Sequence, residues 1–148
     1  DDLSELLLFS AARHEHVRQT IKPMLNKGYT VISDRFYLST YVYQSFAGGL
    51  DFKTVENITK LAIRGTEPDL TILLDIDPKV GLIRSIDNTT THDEKRIENK
   101  PLEYHQKIRQ GFLNAAKSDN TTVVVNANQD VEKVHQDIII LIEERDIF

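Results

Sequence analysis

The sequence predicts an α/β protein with a parallel sheet flanked by helices. Two observations carry that prediction. Short apolar runs at 29–33, 70–76 and 121–125 alternate with longer stretches of helical period, the order that packs parallel strands between helices. The middle run, Leu70-Thr71-Ile72-Leu73-Leu74-Asp75-Ile76, is nearly all apolar, as expected of a strand covered on both faces.

Taken in order, residues 3–26 read as a helix, because Leu3, Leu6, Leu7, Ala11, His14, Val17 and Ile21 recur mostly three or four apart. Pro23 is expected to bend or shorten its end, and Lys27-Gly28 to stop it. Tyr29 to Ser33 predicts a short buried strand that ends at Asp34-Arg35. Residues 36–47 form a second helix closed by Gly48-Gly49. A third helix over 51–65 carries the stripe Phe52, Val55, Ile58, Leu61 and Ala62, and Glu67-Pro68-Asp69 breaks it. Beyond the strong strand, Asp77-Pro78 turns the chain into a helix at about 79–86. Residues 87–100 are polar, without apolar period, and read as a mobile loop with helical edges. A helix over 101–117 places Leu102, His105, Ile108, Phe112 and Ala115 or Ala116 on one side. Thr121 to Val125 is the third strand, and Val131 to Arg145 a closing amphipathic helix built on Val131, Val134, Ile138, Leu141 and Ile142. Three strands are few for such a sheet, where about five or six are usual.

The length of 148 residues suits one ordinary domain. A net charge of -5 argues against a general nucleic-acid binder, but a local arginine cluster can still hold a small anionic substrate. The absence of cysteine excludes disulfides and thiolate metal sites and fits a reducing cytoplasm. No apolar run reaches the roughly 18 residues of a membrane span, and the acidic start is unlike a signal peptide.

Ligands of open α/β sheets bind beyond the carboxyl ends of the strands. Asp34-Arg35, Asp75 with Asp77, and Asn126 fall at those ends. An arginine fork binds phosphate oxygens in pairs, and a neighbouring aspartate can hold it or meet a metal. Taken alone, Asp34-Arg35 reads more readily as a surface ion pair. Phe9 and Arg13 lie four apart on one helical face. They suit a ring stacked on a base and a guanidinium donating to a carbonyl, or simply a core aromatic and a solvated charge. Gln44 either reads a base edge or faces water. Arg84, Lys95, Arg96 and Lys100, among Asp87, Asp93, Glu94 and Glu98, suit a lid that brings cations over transferring phosphate oxygens, or an ordinary solvated loop. None of His14, His16, His92, His105 and His135 has persuasive metal-ligand spacing, and His14 and His105 read as packing residues.

Several segments resemble the thymidylate kinase family, bacterial type, in order and spacing. They are Leu7-Leu8-Phe9-Ser10-Ala11-Ala12-Arg13, Val31-Ile32-Ser33-Asp34-Arg35-Phe36-Tyr37-Leu38-Ser39-Thr40 with Tyr43-Gln44, Pro68-Asp69-Leu70-Thr71, Gly81-Leu82-Ile83-Arg84, Arg96-Ile97-Glu98 and Asn126-Ala127. The resemblance covers almost the whole chain and implies a nucleoside monophosphate kinase fold of the P-loop type. It implies transfer of the γ-phosphoryl of ATP to dTMP, giving dTDP, with Mg2+ as cofactor. It implies a cytoplasmic homodimer joined through helices, for which 3–26 and 51–65 are the candidates. By resemblance Phe9 stacks on thymine, Arg13 reaches a base carbonyl, and Thr40 and Gln44 line the thymine side. Arg35 grips the dTMP phosphate, while Asp34 supports Arg35 and approaches the magnesium shell. Arg84, Asn126 and Ala127 border the adenine, and Arg96 is a lid cation, within a lid loop at about 85–100.

The chain departs from the family at Lys95, where an aspartate is common. It also carries no Gly-x4-Gly-Lys-Ser/Thr phosphate loop and no Arg-Glu-Pro-Gly segment. The expectation is a single incomplete kinase domain over 1–148, lacking the N-terminal segment and its central strand, and inactive alone. Three other readings stand beside this one, the blandest a purely structural fragment that binds no nucleotide. A deoxynucleoside kinase would use a 5′-hydroxyl acceptor. A catalytically silent nucleotide-binding or dimerisation fragment would bind without turnover.

Overall fold

In the computed structural model, which describes residues 1–88, 97 and 99–145, the first helix begins under an aspartate cap. Asp1 accepts the Ser4 N–H at 2.8 Å, satisfying one of the free donors of the first turn. Helix α1 (Asp2–His16) runs through a π-helical stretch, Val17–Ile21, into α2 (Lys22–Leu25). The widened turn lies just before Pro23, and the Lys22 N–H reaches Val17 O, five residues back. A proline ring crowds the carbonyl four residues earlier. The helix therefore accommodates Pro23 within a π turn and continues to Leu25. Gly28 then ends it in the left-handed region (φ 81°), with Tyr29 N–H donating to Met24 O and Gly28 N–H to Leu25 O, the double closure of a Schellman motif.

A second widened helix comes next. Helix α3 (Tyr37–Thr40) passes into π-helical Tyr41–Ala47. Gly48 N–H bonds Tyr43 O at 2.9 Å, and Leu50 N–H bonds Gln44 O at 3.1 Å, across left-handed Gly49. Helix α4 (Phe52–Ile63) is capped by Asp51, which accepts from both the amide and the hydroxyl of Thr54. Hydrogen bonds from Lys60 and Lys53 hold the Glu56 carboxyl on α4 down at about 2.

These helices build the first of two compact units, Asp1–Asp69. Its core is Leu6, Val17, Ile21, Val42, Val55, Ala62 and Ile63, with Ser10, Thr40, Gln44 and Thr59 buried among them. The half-buried His14 ring packs as expected. Its Nδ1 lies 3.0 Å from Ala62 O, and because a carbonyl only accepts, Nδ1 is the donor.

The second unit, Leu70–Phe148, holds the sheet. Strands β1 (Thr71–Asp75) and β2 (Thr122–Asn126) pair in parallel, from Thr71 opposite Thr122 to Asp75 opposite Asn126. Helices α5 (Pro78–Asn88) and α6 (Leu102–Lys117) form the crossover between them, as a parallel pair requires. Helix α6 packs on both strands, and α7 (Val131–Glu144) on β2. Ile108, Ala116, Val125 and Ala127 are the buried apolar residues. Asp119 sets the entry to β2 by accepting from Thr121 and Thr122.

Several sequence expectations are corrected. Residues 29–33 form no strand, and Ile32 is 87% exposed. The sheet has two strands among the described residues, not three. A strand exists only where a neighbour shares its hydrogen bonds, and no described residue pairs with this apolar run. Strand β1 is not covered on both faces, since Leu74 is 49% exposed; apolar content signals capacity for burial, not which neighbours supply it. On α4, Val55, Thr59, Ala62 and Ile63 face inward, while Phe52 and Leu61 face outward. Each helical residue turns by about 100°, so Leu61 points well away from Ala62. On α1 the inward face is Leu6 and Ser10, continued by Val17 and Ile21 on the π-helical stretch, and Leu3 and Leu7 are exposed. Val131 is exposed at the first turn of α7. Helix α5 reaches Asn88, two residues beyond the predicted end. Most of the expected loop, residues 89–96 and 98, lies outside the described residues.

Gly48 gives a direct test of the widened α3 extension. A Cβ there would stand 2.7 Å from Gln44 O, 2.9 Å from Tyr43 O and 3.1 Å from Asp2. Gly48→Ala is expected to lower stability by about 1–3 kcal/mol through backbone displacement, read from the urea midpoint. Gly49→Ala, with open space but positive φ, should cost about 1 kcal/mol.

Candidate functional site

The first unit gathers Arg13, Thr40, Gln44 and Phe9 around the junction of α1 with the α3 extension. Arg13 is half-buried at the edge of the α1 core face. Its Nη2 donates to Thr40 Oγ1 at 2.6 Å, and its guanidinium lies 5.8 Å from the Phe36 ring centroid. The Nη1 atom is buried with no hydrogen-bond partner among the described residues. Burial lowers the Arg13 pKa and Tyr41 opposes that shift, but a guanidinium stays cationic at neutral pH. A buried charged donor without an acceptor costs about 1–3 kcal/mol or more. Phe9 stands one turn before Arg13 and is 53% exposed. Gln44 is buried on the π-helical stretch, its Nε2 only 3.4 Å from Glu5 Oε2, a long bond for an amide. Tyr37, Tyr41 and Phe52 form an aromatic file beside this cluster. Burial, aided by Tyr37 and Glu56, pushes the Tyr41 hydroxyl up to about 12, which keeps it neutral.

Asp34 and Arg35 lie in the bend before α3, both exposed. Arg35 has φ 64°, a left-handed conformation costing a non-glycine residue about 1–3 kcal/mol and concentrated at functional sites. The Ser33 hydroxyl donates to Arg35 O at 2.9 Å, and the Arg35 guanidinium sits 5.7 Å from the Tyr43 ring centroid. No hydrogen bond or ion pair among the described residues joins Asp34 to Arg35.

The second unit brings Arg84, Asn126 and Ala127 together at the carboxyl ends of the strands. Arg84 on α5 donates to Ala127 O at 3.0 Å and to Gln129 O at 3.2 Å. Ala127 N–H donates to Asp75 O at 2.7 Å, one step beyond the ladder. Asn126 Oδ1 accepts the Asn128 N–H, and Asn128 Oδ1 accepts the Asp77 N–H. Asp77 itself caps the start of α5 by accepting the Lys79 N–H.

Sequence reasoning missed Arg109. From α6 it grips Asp75 with both arms, Nε to Oδ1 at 2.6 Å and Nη2 to Oδ2 at 2.8 Å. The signal was present: Arg109 succeeds Ile108, at the edge of the predicted α6 stripe, where a long side chain can reach a strand end. Arg96 and Lys95 lie outside the described residues. Among the described residues no group of three or more His, Cys, Asp or Glu could hold a metal ion, and no helix is long and apolar enough to cross a membrane.

The Asp75 carboxyl is held below the usual carboxylate range by the Arg109 hydrogen bonds, against the opposing effect of burial. Its folded pKa is below the unfolded value of about 3.9. The pair's contribution is therefore present above that value and is lost as pH falls through the folded pKa. Asp75→Asn is expected to flatten the acid side of a plot of urea midpoint against pH, measured from about pH 6 to 2.

Known proteins resemble the chain throughout. The family model described as thymidylate kinase matches residues 1–138. A thymidylate kinase of Maridesulfovibrio salexigens is 42% identical over 146 residues, spanning 95% of this chain and 67% of that protein. One from Symbiobacterium thermophilum is 44% identical over 143 residues, spanning 96% and 65%. The crystal structure of thymidylate kinase from Ehrlichia chaffeensis superposes with a TM-score of 0.75 at 30% identity, covering 97% of this chain and 66% of that one. The chain thus spans about two thirds of the length of these relatives. Together with the parallel pair and its crossover helices, the matches define an α/β nucleotide kinase. The chain belongs to the thymidylate kinase family.

Proposed function

We propose that the protein phosphorylates dTMP to dTDP with ATP. The observation that carries this reading is Arg13, a half-buried cation fixed by Thr40, one turn from the exposed Phe9 ring. A pyrimidine fits that pair: its face stacks on Phe9 and a ring carbonyl accepts from the Arg13 guanidinium. Gln44, weakly held by Glu5, supplies an amide for the base edge. Unmatched polar edges discriminate more strongly than a methyl pocket, which contributes about 1–3 kcal/mol.

Arg35 holds the dTMP phosphate. Its guanidinium rests over an aromatic face and has no ion pair among the described residues, so its donors suit phosphate oxygens. Phosphoryl transfer needs positioning and charge stabilisation more than a strong base, and the acceptor is already an oxyanion. Arg96 adds a second cation by family resemblance, within a lid over about 85–100. Arg84 and the Asn126-Ala127 backbone border the adenine. Magnesium prefers oxygen donors and is usually held by substrate phosphates with one or two carboxylates; Asp34, an exposed carboxylate beside Arg35, fits that donor set. When bound, the ion neutralises charge on the phosphate oxygens.

The full-length protein is expected to form dTDP from dTMP, ATP and Mg2+, and to leave thymidine unphosphorylated, by chromatography of the products. Turnover of thymidine without dTMP would reject this reading in favour of a deoxynucleoside kinase. Arg13→Met should weaken dTMP binding about 10- to 100-fold, matching the roughly 1.5–3 kcal/mol of a hydrogen bond to a charged group.

We also assign the protein to the cytoplasm as a homodimer. Exposed Leu3 and Leu7 on α1 and Leu61 on α4 give those helices apolar surface for a second copy. Sedimentation at micromolar concentration should show a dimer, and a monomer alone would reject this assembly.

A further inference from the structure

The Arg109–Asp75 pair is left unused by the proposed chemistry, yet it stands at the root of the donor-side cluster. Asp75 is joined to three elements at once. Its carboxylate is held by α6 through both Arg109 nitrogens. Its residue pairs with Asn126 in the ladder, and its carbonyl accepts the Ala127 N–H at 2.7 Å. Ala127 is buried, and its own carbonyl faces Arg84 Nη1 at 3.0 Å. A continuous chain of hydrogen bonds therefore runs from Arg109 through Asp75 and Ala127 to Arg84. The two carbonyls that Arg84 grips, those of Ala127 and Gln129, both belong to the turn leaving β2.

We infer that Arg109 is a positioning residue: through Asp75 it fixes the turn after β2 and so the seat of Arg84, tuning affinity for the purine nucleotide and not for dTMP. The inference rests on the proposal that Arg84 and Ala127 border the adenine. A two-armed fork fixes a carboxylate in orientation as well as distance, which a single charge contact does not. Loss of the fork frees the Asp75 side chain and the strand end to shift. Displacements of about 1 Å are enough to change affinity or rate substantially. Thr40, Gln44 and Phe9 belong to the other unit, outside this chain of contacts.

The test uses the full-length protein and the variants Arg109→Met and Asp75→Asn, with folding checked by circular dichroism. Binding of N-methylanthraniloyl-ATP with Mg2+ is tracked by fluorescence, and binding of dTMP by calorimetry. Arg109→Met is expected to weaken the ATP analogue about tenfold and to leave dTMP affinity within about twofold. Asp75→Asn should shift the analogue in the same direction. Unchanged analogue affinity in folded Arg109→Met, or equal losses for both ligands, overturns the positioning role. If neither variant folds, the pair is a folding element and the role is equally overturned. Arg84→Ala in the same titration separates the underlying assignment. Unchanged analogue affinity there sinks the adenine-border reading itself, and absence of dTDP formation by the wild type sinks the kinase reading.

Discussion

The parallel pairing of β1 with β2 is the constraint on which the second unit depends. It brings Asp75 and Asn126, far apart in the chain, to one end of a ladder. The polar structure at that end is a consequence. Ala127 can bond Asp75 O only because the register ends there, and Asn128 can hold the start of α5 only because Asp77 emerges beside it. The crossover through α5 and α6 then delivers two arginines to that end. Arg84 grips main-chain carbonyls and Arg109 grips a carboxylate. Residue types alone do not distinguish these uses; their partners do.

The first unit is organised differently, around a polar group inside a helical core. The α1 face that meets α4 and the α3 extension includes Ser10 and Arg13 among its apolar residues. Such a face is poorer in hydrophobic burial than an all-apolar one. Its compensation is specificity: Thr40 fixes one arm of Arg13, and the other has no hydrogen-bond partner among the described residues. The widened turn at Tyr41–Ala47 serves the same end. A π turn inserts a residue and rotates the remainder of the helix, and Gln44 is buried on it. Left-handed Arg35 is another local departure from the lowest-energy backbone. Departures of this kind gather at the residues proposed to handle dTMP.

Legibility in the sequence tracked the range of the forces involved. Helices were readable because period and caps are local: Asp51, Gly28 and Gly48-Gly49 end or begin elements where predicted. Pairs that share a helix face, such as Phe9 with Arg13, were readable for the same reason. The grouping of Arg84 with Asn126 and Ala127 rested on resemblance, and their contacts now give it a geometry. Arg109 is marked locally only by its place at the edge of the α6 stripe; its importance arises from a partner 34 positions away. The run at 29–33 was read too strongly, since apolar β-branched residues look alike whether or not a strand lies beside them.

By itself the sequence determined the α/β class, the positions of most helix ends, the family, and the residue types available for phosphate and base. Those depend on short-range periodicity, capping and motif spacing, all written in consecutive residues. Only the tertiary structure decided which helix faces turn inward, that two runs pair and a third does not among the described residues, that Thr40 holds Arg13, and that Arg109 holds Asp75. Each of those depends on which distant groups meet, because burial and hydrogen bonding are settled by neighbours in space, and neighbours in space are not neighbours in the chain.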